Sequence, residues 1–424
     1  MEQGKEKGKS FIIQRGGDNK VYKSREEIRD FVQTIIGNSV NLSTLIGSGA
    51  SLPAIPLMGS TFKEYRKNIK KEKPDLSKIL EDRLNKICQK HTSYELDKFK
   101  NIEFLLSWLQ YRIDGDADTC NEDQQLFIDL KNTFINSVSN AKGNEESSNK
   151  VRENYLHVIQ GLGKSRQILA RQQKTVFDIV NLFTTNYDLF HEGALEKSRY
   201  TYTDGFSNGI HNKFSNREFH RRPIDLEDRF KDKLQPVNPF FRLLKLHGSI
   251  NWIKRENEVM RTTNIPCPAK ESTDEVLISP TSSKFALTQN EPYSDLFREF
   301  VNIMAVPNSA LFTSAFSFND SHIANLVESA LDRTDFTLYA FIENPEFAGK
   351  NSNFTNFIQS ISNSPNAFLI YPNCEKDYEK KKASADWMNP PLKFEDFAYF
   401  MQPDVISEDE GIIDKNNSKE DKNE

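Results

Sequence analysis

At 424 residues, with 37% apolar residues, 28% charged residues and 31 Phe, the chain suits one large domain with an insertion or two domains, and its composition excludes a disordered chain. A formal charge of −5 gives no global attraction to nucleic acid or anionic lipid, and the basic stretches Lys63–Lys73 and Arg217–Lys233 read as solvated faces. No segment reaches the roughly 18 apolar residues of a membrane span, residues 1–10 are too polar for a secretory signal, and Cys88, Cys120, Cys267 and Cys374 form no C-x-x-C pair, so the expectation is a cytoplasmic chain with reduced thiols and no metal site.

Taken in chain order, residues 1–24 are expected to form a flexible N-terminal segment. The first buried strand is Leu42–Ile46. The stretch 60–174 is charged, poor in strand signals and mostly helical, with Ile102, Leu105, Leu106, Trp108 and Leu109 marking an amphipathic helix over Asn101–Tyr111. Polar Ala141–Lys150 reads as a loop between helices. Further apolar runs follow at Val180–Thr184, Leu243–Leu246, Val276–Ile278, Ala310–Phe316, Phe336–Ile342 and Ala367–Tyr371. Several are continuous rather than alternating, as expected for strands buried on both faces of a parallel sheet. A helix over Ser321–Leu331 has Ile323, Leu326, Val327, Ala330 and Leu331 on one face, with Asn319 or Asp320 as its cap. The fold class is therefore α/β: a doubly wound, Rossmann-like parallel sheet over 25–59 and 175–403, with a helical subdomain inserted at 60–174 and a disordered acidic tail at 404–424.

Four strand ends carry polar residues suited to chemistry. Gly47-Ser48-Gly49-Ala50-Ser51 follows the first strand, where small residues let backbone N–H groups approach a diphosphate, although a plain tight turn has the same composition. Thr184-Thr185-Asn186-Tyr187-Asp188 ends the next, and places Asn186 and Asp188 where an open sheet binds its ligand; an Asx turn capping a helix is the alternative. Leu246-His247-Gly248-Ser249 repeats the pattern, with His247 either reactive or a satisfied structural residue. Ala315-Phe316-Ser317-Phe318-Asn319-Asp320-Ser321-His322-Ile323 joins a strand to a capped helix.

Jointly and in this order, these four segments resemble the sirtuin-like superfamily. The first resembles its NAD-binding loop, Thr184–Asp188 its Thr-x-Asn-x-Asp segment with the catalytic Asn, and Leu246–Ser249 the segment with the catalytic His. Ser317–Ile323 resembles the late Ser-Phe-x-Asp-x-His-Ile segment of the bacterial branch. Three departures are informative. Only Cys267 follows where deacylases carry two zinc-binding cysteine pairs, Ala54–Gly59 replaces the Gly-Ile-Pro-Asp-Phe-Arg lid, and Ala315 stands at the usual first glycine of the late segment.

The resemblance implies an effector of bacterial antiphage defence that hydrolyses NAD+ to ADP-ribose and nicotinamide without zinc. The length and Pro280-Thr281-Ser282-Ser283-Lys284 look most like the partner of a HerA-type hexameric ATPase. On this reading Asn186, His247 and Asp188 are catalytic: Asn186 positions a water and a ribose hydroxyl, His247 is the general base, and Asp188 orients one of them. Gly47, Ser48, Gly49, Ala50, Ser51, Thr185, Ser317, Phe318 and Asn344 bind the nucleotide. A homo-oligomer is expected, with no membrane contact and with nucleic acid reached only through the partner. A protein deacylase, a non-catalytic sensor of NAD or ADP-ribose, and a nucleic-acid-processing protein are the alternatives.

Overall fold

The computed structural model of the chain describes residues 10–93, 95–96, 99, 102–115, 121–139, 145–173, 179–226, 235–255, 258–262, 275–278, 291–345, 353–373 and 392–403. The expected tail at 404–424 and the Pro280–Lys284 segment lie outside the described residues.

Two strands, β1 (Phe11–Arg15) and β2 (Asp18–Tyr22), precede α1 (Arg25–Asn38) and the first central strand, β3 (Asn41–Ile46). Five helices follow: α2 (Met58–Glu72), α3 (Pro74–Lys90), α4 (Ile102–Gly115), α5 (Asn121–Ser139) and α6 (Glu145–Gln173). The chain then returns through β4 (Ile179–Thr184), α7 (Phe190–Lys197) and β5 (Thr201–Thr203). Beyond them lie β6 (Ile224–Asp225), β7 (Gln235–Pro236), β8 (Phe240–Lys245), β9 (Gly248–Arg255), β10 (Glu258–Arg261) and β11 (Glu275–Ile278). The last part runs α8 (Tyr293–Met304), β12 (Ser309–Ser314), α9 (Ser321–Leu331), β13 (Phe336–Phe341), α10 (Asn353–Ile361), β14 (Ala367–Pro372) and α11 (Phe394–Met401).

The main sheet has nine strands in the order β2-β1-β14-β13-β12-β3-β4-β8-β5. From β14 to β5 every pairing is parallel. Reading outward from β3, the path goes β4, β8 on one side and β12, β13, β14 on the other, which is the doubly wound order with its switch point between β3 and β12. The α/β expectation holds. Near-continuous burial along β3, β4 and β12 follows from helices covering both faces. On one face α1, α6 and α11 bury Ile28, Val32, Val158, Leu162, Phe397 and Phe400. On the other, α8, α9 and α10 bury Leu296, Phe300, Ile323, Val327 and Phe357.

Three expectations are revised. Residues 11–22 are not a flexible segment: β1 pairs antiparallel with β14, and a Gly16–Gly17 turn leads into β2. Phe11 is fully buried there, and Gly16 and Gly17 both take positive φ, as a tight hairpin turn of primed type requires. Val276–Ile278 belongs to a separate antiparallel sheet, β10-β9-β11, and not to the parallel one. Residues 145–150, within the expected loop, open α6.

The inserted helices also divide. Phe62, Leu80, Leu84, Leu105, Leu130 and Phe134, from α2 to α5, form a second core that also takes in Ile55, Tyr187 and Ile250. The 29-residue α6 instead packs on the sheet through Val151, Tyr155, Val158, Ile159 and Leu162, a stripe at helical spacing. Two of its glycines permit this close seat. A Cβ on Gly161 would lie 2.2 Å from the Met401 carbonyl oxygen, and one on Gly163 would lie 2.4 Å from the Tyr200 ring. Gly161→Ala is therefore expected to cost about 3 kcal/mol, the upper part of the usual overpacking range. Chemical denaturation would read it as a lowered midpoint; an unchanged midpoint would mean that α6 is seated elsewhere.

Candidate active site

Parallel register brings the polar strand ends to one line. Ile46 pairs with Thr184 and with Ser314, and Thr184 pairs with Lys245. Asn186 and His247 thus each leave the sheet two residues beyond a paired position, on adjacent strands. Gly47 leaves β3 beside them and Ala315 leaves β12 on its other side. The Tyr187 ring stands between the two segments, its centroid 6.3 Å from that of His247. This is the crevice that a doubly wound sheet opens at its switch point.

Asn186 is 4% exposed, and its surroundings fix the amide. Its backbone N–H donates to Thr184 Oγ1 at 3.0 Å, and that hydroxyl donates to the Ile46 carbonyl at 2.9 Å. The amide Nδ2 faces the Gly47 carbonyl at 3.0 Å, Ser51 Oγ at 3.2 Å and Tyr155 Oη at 3.0 Å. Gly47 offers only an acceptor, so the nitrogen must point that way and Oδ1 the other. Oδ1 is buried and has no partner among the described residues. An unsatisfied acceptor at this depth costs about 1–3 kcal/mol, a cost that a ligand hydroxyl or a water removes.

Behind the amide runs a directed chain. Ser51 Oγ donates to Asp188 Oδ2 at 2.7 Å, so the Tyr155 hydroxyl, 3.1 Å away, donates to Ser51 and accepts from Asn186. Burial drives the Tyr155 phenol far above its ordinary pKa, with Asp188 adding to the effect, so it stays neutral. Burial also raises Asp188, opposed by the nearby Lys245 ammonium and by bonds from Ser51 and the Phe190 N–H. Tyr155 comes from α6, far upstream, and no local pattern announced it. Its only sequence signal was its place in the apolar stripe of that helix.

Lys245 was equally hidden. It is 1% exposed at the end of β8, and its Nζ donates to the Asp188 carbonyl, to Glu192 Oε1 at 2.9 Å and to the Tyr187 carbonyl at 3.5 Å. The ammonium so clamps the backbone that follows Asn186. Burial raises the Glu192 carboxyl, and Lys245 pulls it back down.

His191 packs edge-on against Tyr155 at 4.8 Å, and burial, aided by Lys245, pushes its pKa from 6.5 to about 3. The unfolded chain takes up this proton below about 6.5 and the folded chain only near 3, so this group's stability is present at neutral pH and is lost as pH falls through that window. Between pH 7 and pH 5 the wild type should lose about 2 kcal/mol more than His191→Gln. Asp188 and Glu192 titrate in the opposite sense in both proteins, so the difference between them isolates the imidazole. Parallel stability-versus-pH curves for the two would contradict this.

His247 is 7% exposed, and its Nε2 lies 3.0 Å from Asp320 Oδ2. The other carboxylate oxygen, Oδ1, accepts from the His322 and Ile323 N–H groups and caps α9. One side chain thus fixes both an imidazole and a helix end.

The glycine loop differs from its expected use. Gly47 N–H donates to the Ser314 carbonyl, Gly49 N–H to the Ala315 carbonyl and Ala50 N–H to the Gly47 carbonyl, so these three donors are engaged within the chain. A Cβ on Gly47 would lie 2.4 Å from Ala315 O, so the close approach that requires glycine here is to β12's exit. Ala315 itself holds φ +54, the left-handed conformation that glycine adopts most easily. Ser48 and Ser317 are exposed at this edge and Thr185 is half-buried. Asn344, at the end of β13, donates to the Pro372 carbonyl at 3.2 Å. Phe318 does not join them: its fully buried ring stacks on Phe357 at 4.2 Å in the core.

Residues 180–365 match the model of the SIR2-like domain. The match begins in β4, ends before β14, and contains Asn186, Asp188, His247, Ser317 and Asn344; Gly47–Ser51 precede it. SIR2-like domains use NAD+, which ties the chain to NAD-related activity. Comparison with curated proteins gave no match. Among the described residues no group of three or more His, Cys, Asp or Glu side chains is arranged to hold a metal, and no helix is long and apolar enough to cross a membrane.

Proposed function

We propose that this chain hydrolyses NAD+ at its nicotinamide–ribose bond, giving ADP-ribose and nicotinamide. The observation that carries the reading is the Oδ1 of Asn186, buried without a partner among the described residues while the residue's Nδ2 and backbone N–H are fixed by four neighbours at the crevice of a SIR2-like domain. Bond cleavage develops an oxocarbenium-like ribose, and nicotinamide departs as a neutral molecule, so no acid is needed for the leaving group. What the site must supply is a positioned water, a held ribose and exclusion of bulk solvent. Asn186 Oδ1 accepts a hydrogen from the water or a ribose hydroxyl. His247, oriented by Asp320, takes the proton. Asp188 acts through Ser51 and Tyr155 as the anchor of the amide.

The diphosphate lies over Gly47, Ser48, Gly49, Ala50 and Ser51, beside Thr185, with Ser317 on the adenosine side and Asn344 at the adenine ribose. Because three of the loop's N–H groups are engaged within the chain, the exposed Ser48 carries more of that contact than its glycine neighbours. The sequence has no paired cysteines after His247 to build a deacylase zinc module, which favours water over an acyl-lysine as the acceptor.

In the cell this activity depletes NAD+ as an antiphage effector. It works in a homo-oligomer under control of a HerA-type hexameric ATPase, which supplies any contact with nucleic acid. Purified chain incubated with NAD+, alone and with such an ATPase, should yield ADP-ribose and nicotinamide in equal amounts on chromatography. NAD+ that stays intact in both mixtures, or is consumed only together with an acetylated peptide, would overturn the reading.

A further inference from the structure

Away from the Asn186 crevice, a cavity of about 900 Å3 lies between α7, the edge strand β5, β8 and the β10-β9-β11 sheet. Its size is in the range of sites for small organic ligands. Two of its lining residues carry unsatisfied acceptors. Glu192 Oε2 and Asn251 Oδ1 are both buried without a partner among the described residues, and each side chain belongs to a residue only 8% exposed. Leaving two such oxygens unmet is costly, and complementary N–H donors on a ligand would satisfy them. Among the aromatic residues that line it, Tyr202 is half-buried, while Phe206 and Phe240 are buried with Arg261 and Arg222 over their rings.

The charges exclude a simple cation. Glu192 is already paired with Lys245, and Asp204 with Arg261, so the polar groups are close to balanced. What remains favours a neutral ring with N–H donors on its edge. Arg221 and Arg222 also line the cavity. Arg221 is exposed and, among the described residues, pairs with Glu218 one helical turn away, an interaction weak enough to give way to a phosphate.

We propose that this cavity is a second ligand site, taking a guanine mononucleotide: the base edge, with its N1–H and N2–H donors, meets Glu192 and Asn251, and the phosphate meets the arginines. Glu192 also holds Lys245, whose ammonium bonds the Tyr187 and Asp188 carbonyls, so the cavity and the crevice share a wall while taking separate ligands. Binding itself does not depend on the NAD+ reading.

Calorimetry of the full chain with GMP should show saturable one-to-one binding, unchanged by excess NAD+ and retained in Asn186→Ala. AMP, which lacks the paired donors, should bind at least ~10-fold more weakly, and Asn251→Ala should weaken GMP by a similar factor, the loss of about one good hydrogen bond. Should Asn251→Ala fail to fold, Arg221→Ala at an exposed position keeps the test open: it should remove the advantage of GMP over guanosine. No saturable heat with millimolar GMP, equal affinity for AMP, displacement by NAD+, or a folded Asn251→Ala protein that binds GMP as the wild type does would each overturn the proposal.

Discussion

Asn186→Ala is expected to lower NAD+ hydrolysis by two or more orders of magnitude and leave the protein folded, the scale at which a positioned catalytic group acts. The two halves of that expectation have separate causes. Activity falls because alanine has no acceptor where Oδ1 stood. Stability changes little because the substitution removes an unsatisfied oxygen along with the amide's bonds to Gly47, Ser51 and Tyr155, so loss and relief oppose each other. His247→Ala should show a similar loss of turnover. Tyr155→Phe should fall between these variants and the wild type, since it frees the amide to swing without removing it. Steady-state rates on protein of native circular dichroism decide the matter, and full turnover by folded Asn186→Ala would remove the residue from the chemistry.

The second large effect is on stability. Lys245→Met is expected to cost about 3–5 kcal/mol, the range for removing one partner of a buried ion pair. Lys245 is 1% exposed and Glu192 8%, so each charge is poorly compensated once the other is gone. The loss should shrink when Glu192→Gln is added, because the second change removes the stranded carboxylate. Denaturant unfolding of the two single variants and the double gives the coupling directly. A Lys245→Met protein as stable as the wild type would show that the ammonium is not holding the segment after Asn186.

Much of this was legible in the sequence, and the gaps have identifiable physical reasons. The central strands were legible because burial on both faces leaves continuous apolar runs such as Leu42–Ile46 and Val180–Thr184. The cap on α9 was legible as well, since Asp320 stands one residue before the helix it closes. Val276–Ile278 is legible as a strand but its sheet is not, because a short apolar run has no direction, and parallel and antiparallel strands share it. The β1–β2 hairpin did leave a sign, Gly16-Gly17 between two strand-like segments, which the polar ends obscured. Lys245 left one too: a lysine inside Phe-Phe-Arg-Leu-Leu-Lys-Leu has to find a partner indoors. Tyr155 and Asp320 could not be placed around Asn186 and His247 from sequence, because those meetings join elements distant along the chain. Phe318 misled in the opposite way, since it sits inside a site-like motif yet turns its ring into the core.

The long helix α6 has a mechanical consequence. At 29 residues and about 1.5 Å per residue it is a stiff rod of roughly 43 Å, and Tyr155 sits on it where the phenol meets Asn186. A hydrogen bond tolerates only a few tenths of an ångström along its axis, so sliding the rod by even one residue's rise uncouples the phenol from the amide. The packing of α6 beneath α11 therefore serves as a latch on the Asn186 carboxamide, and whatever grips the rod from outside gains a handle on that amide without entering the crevice.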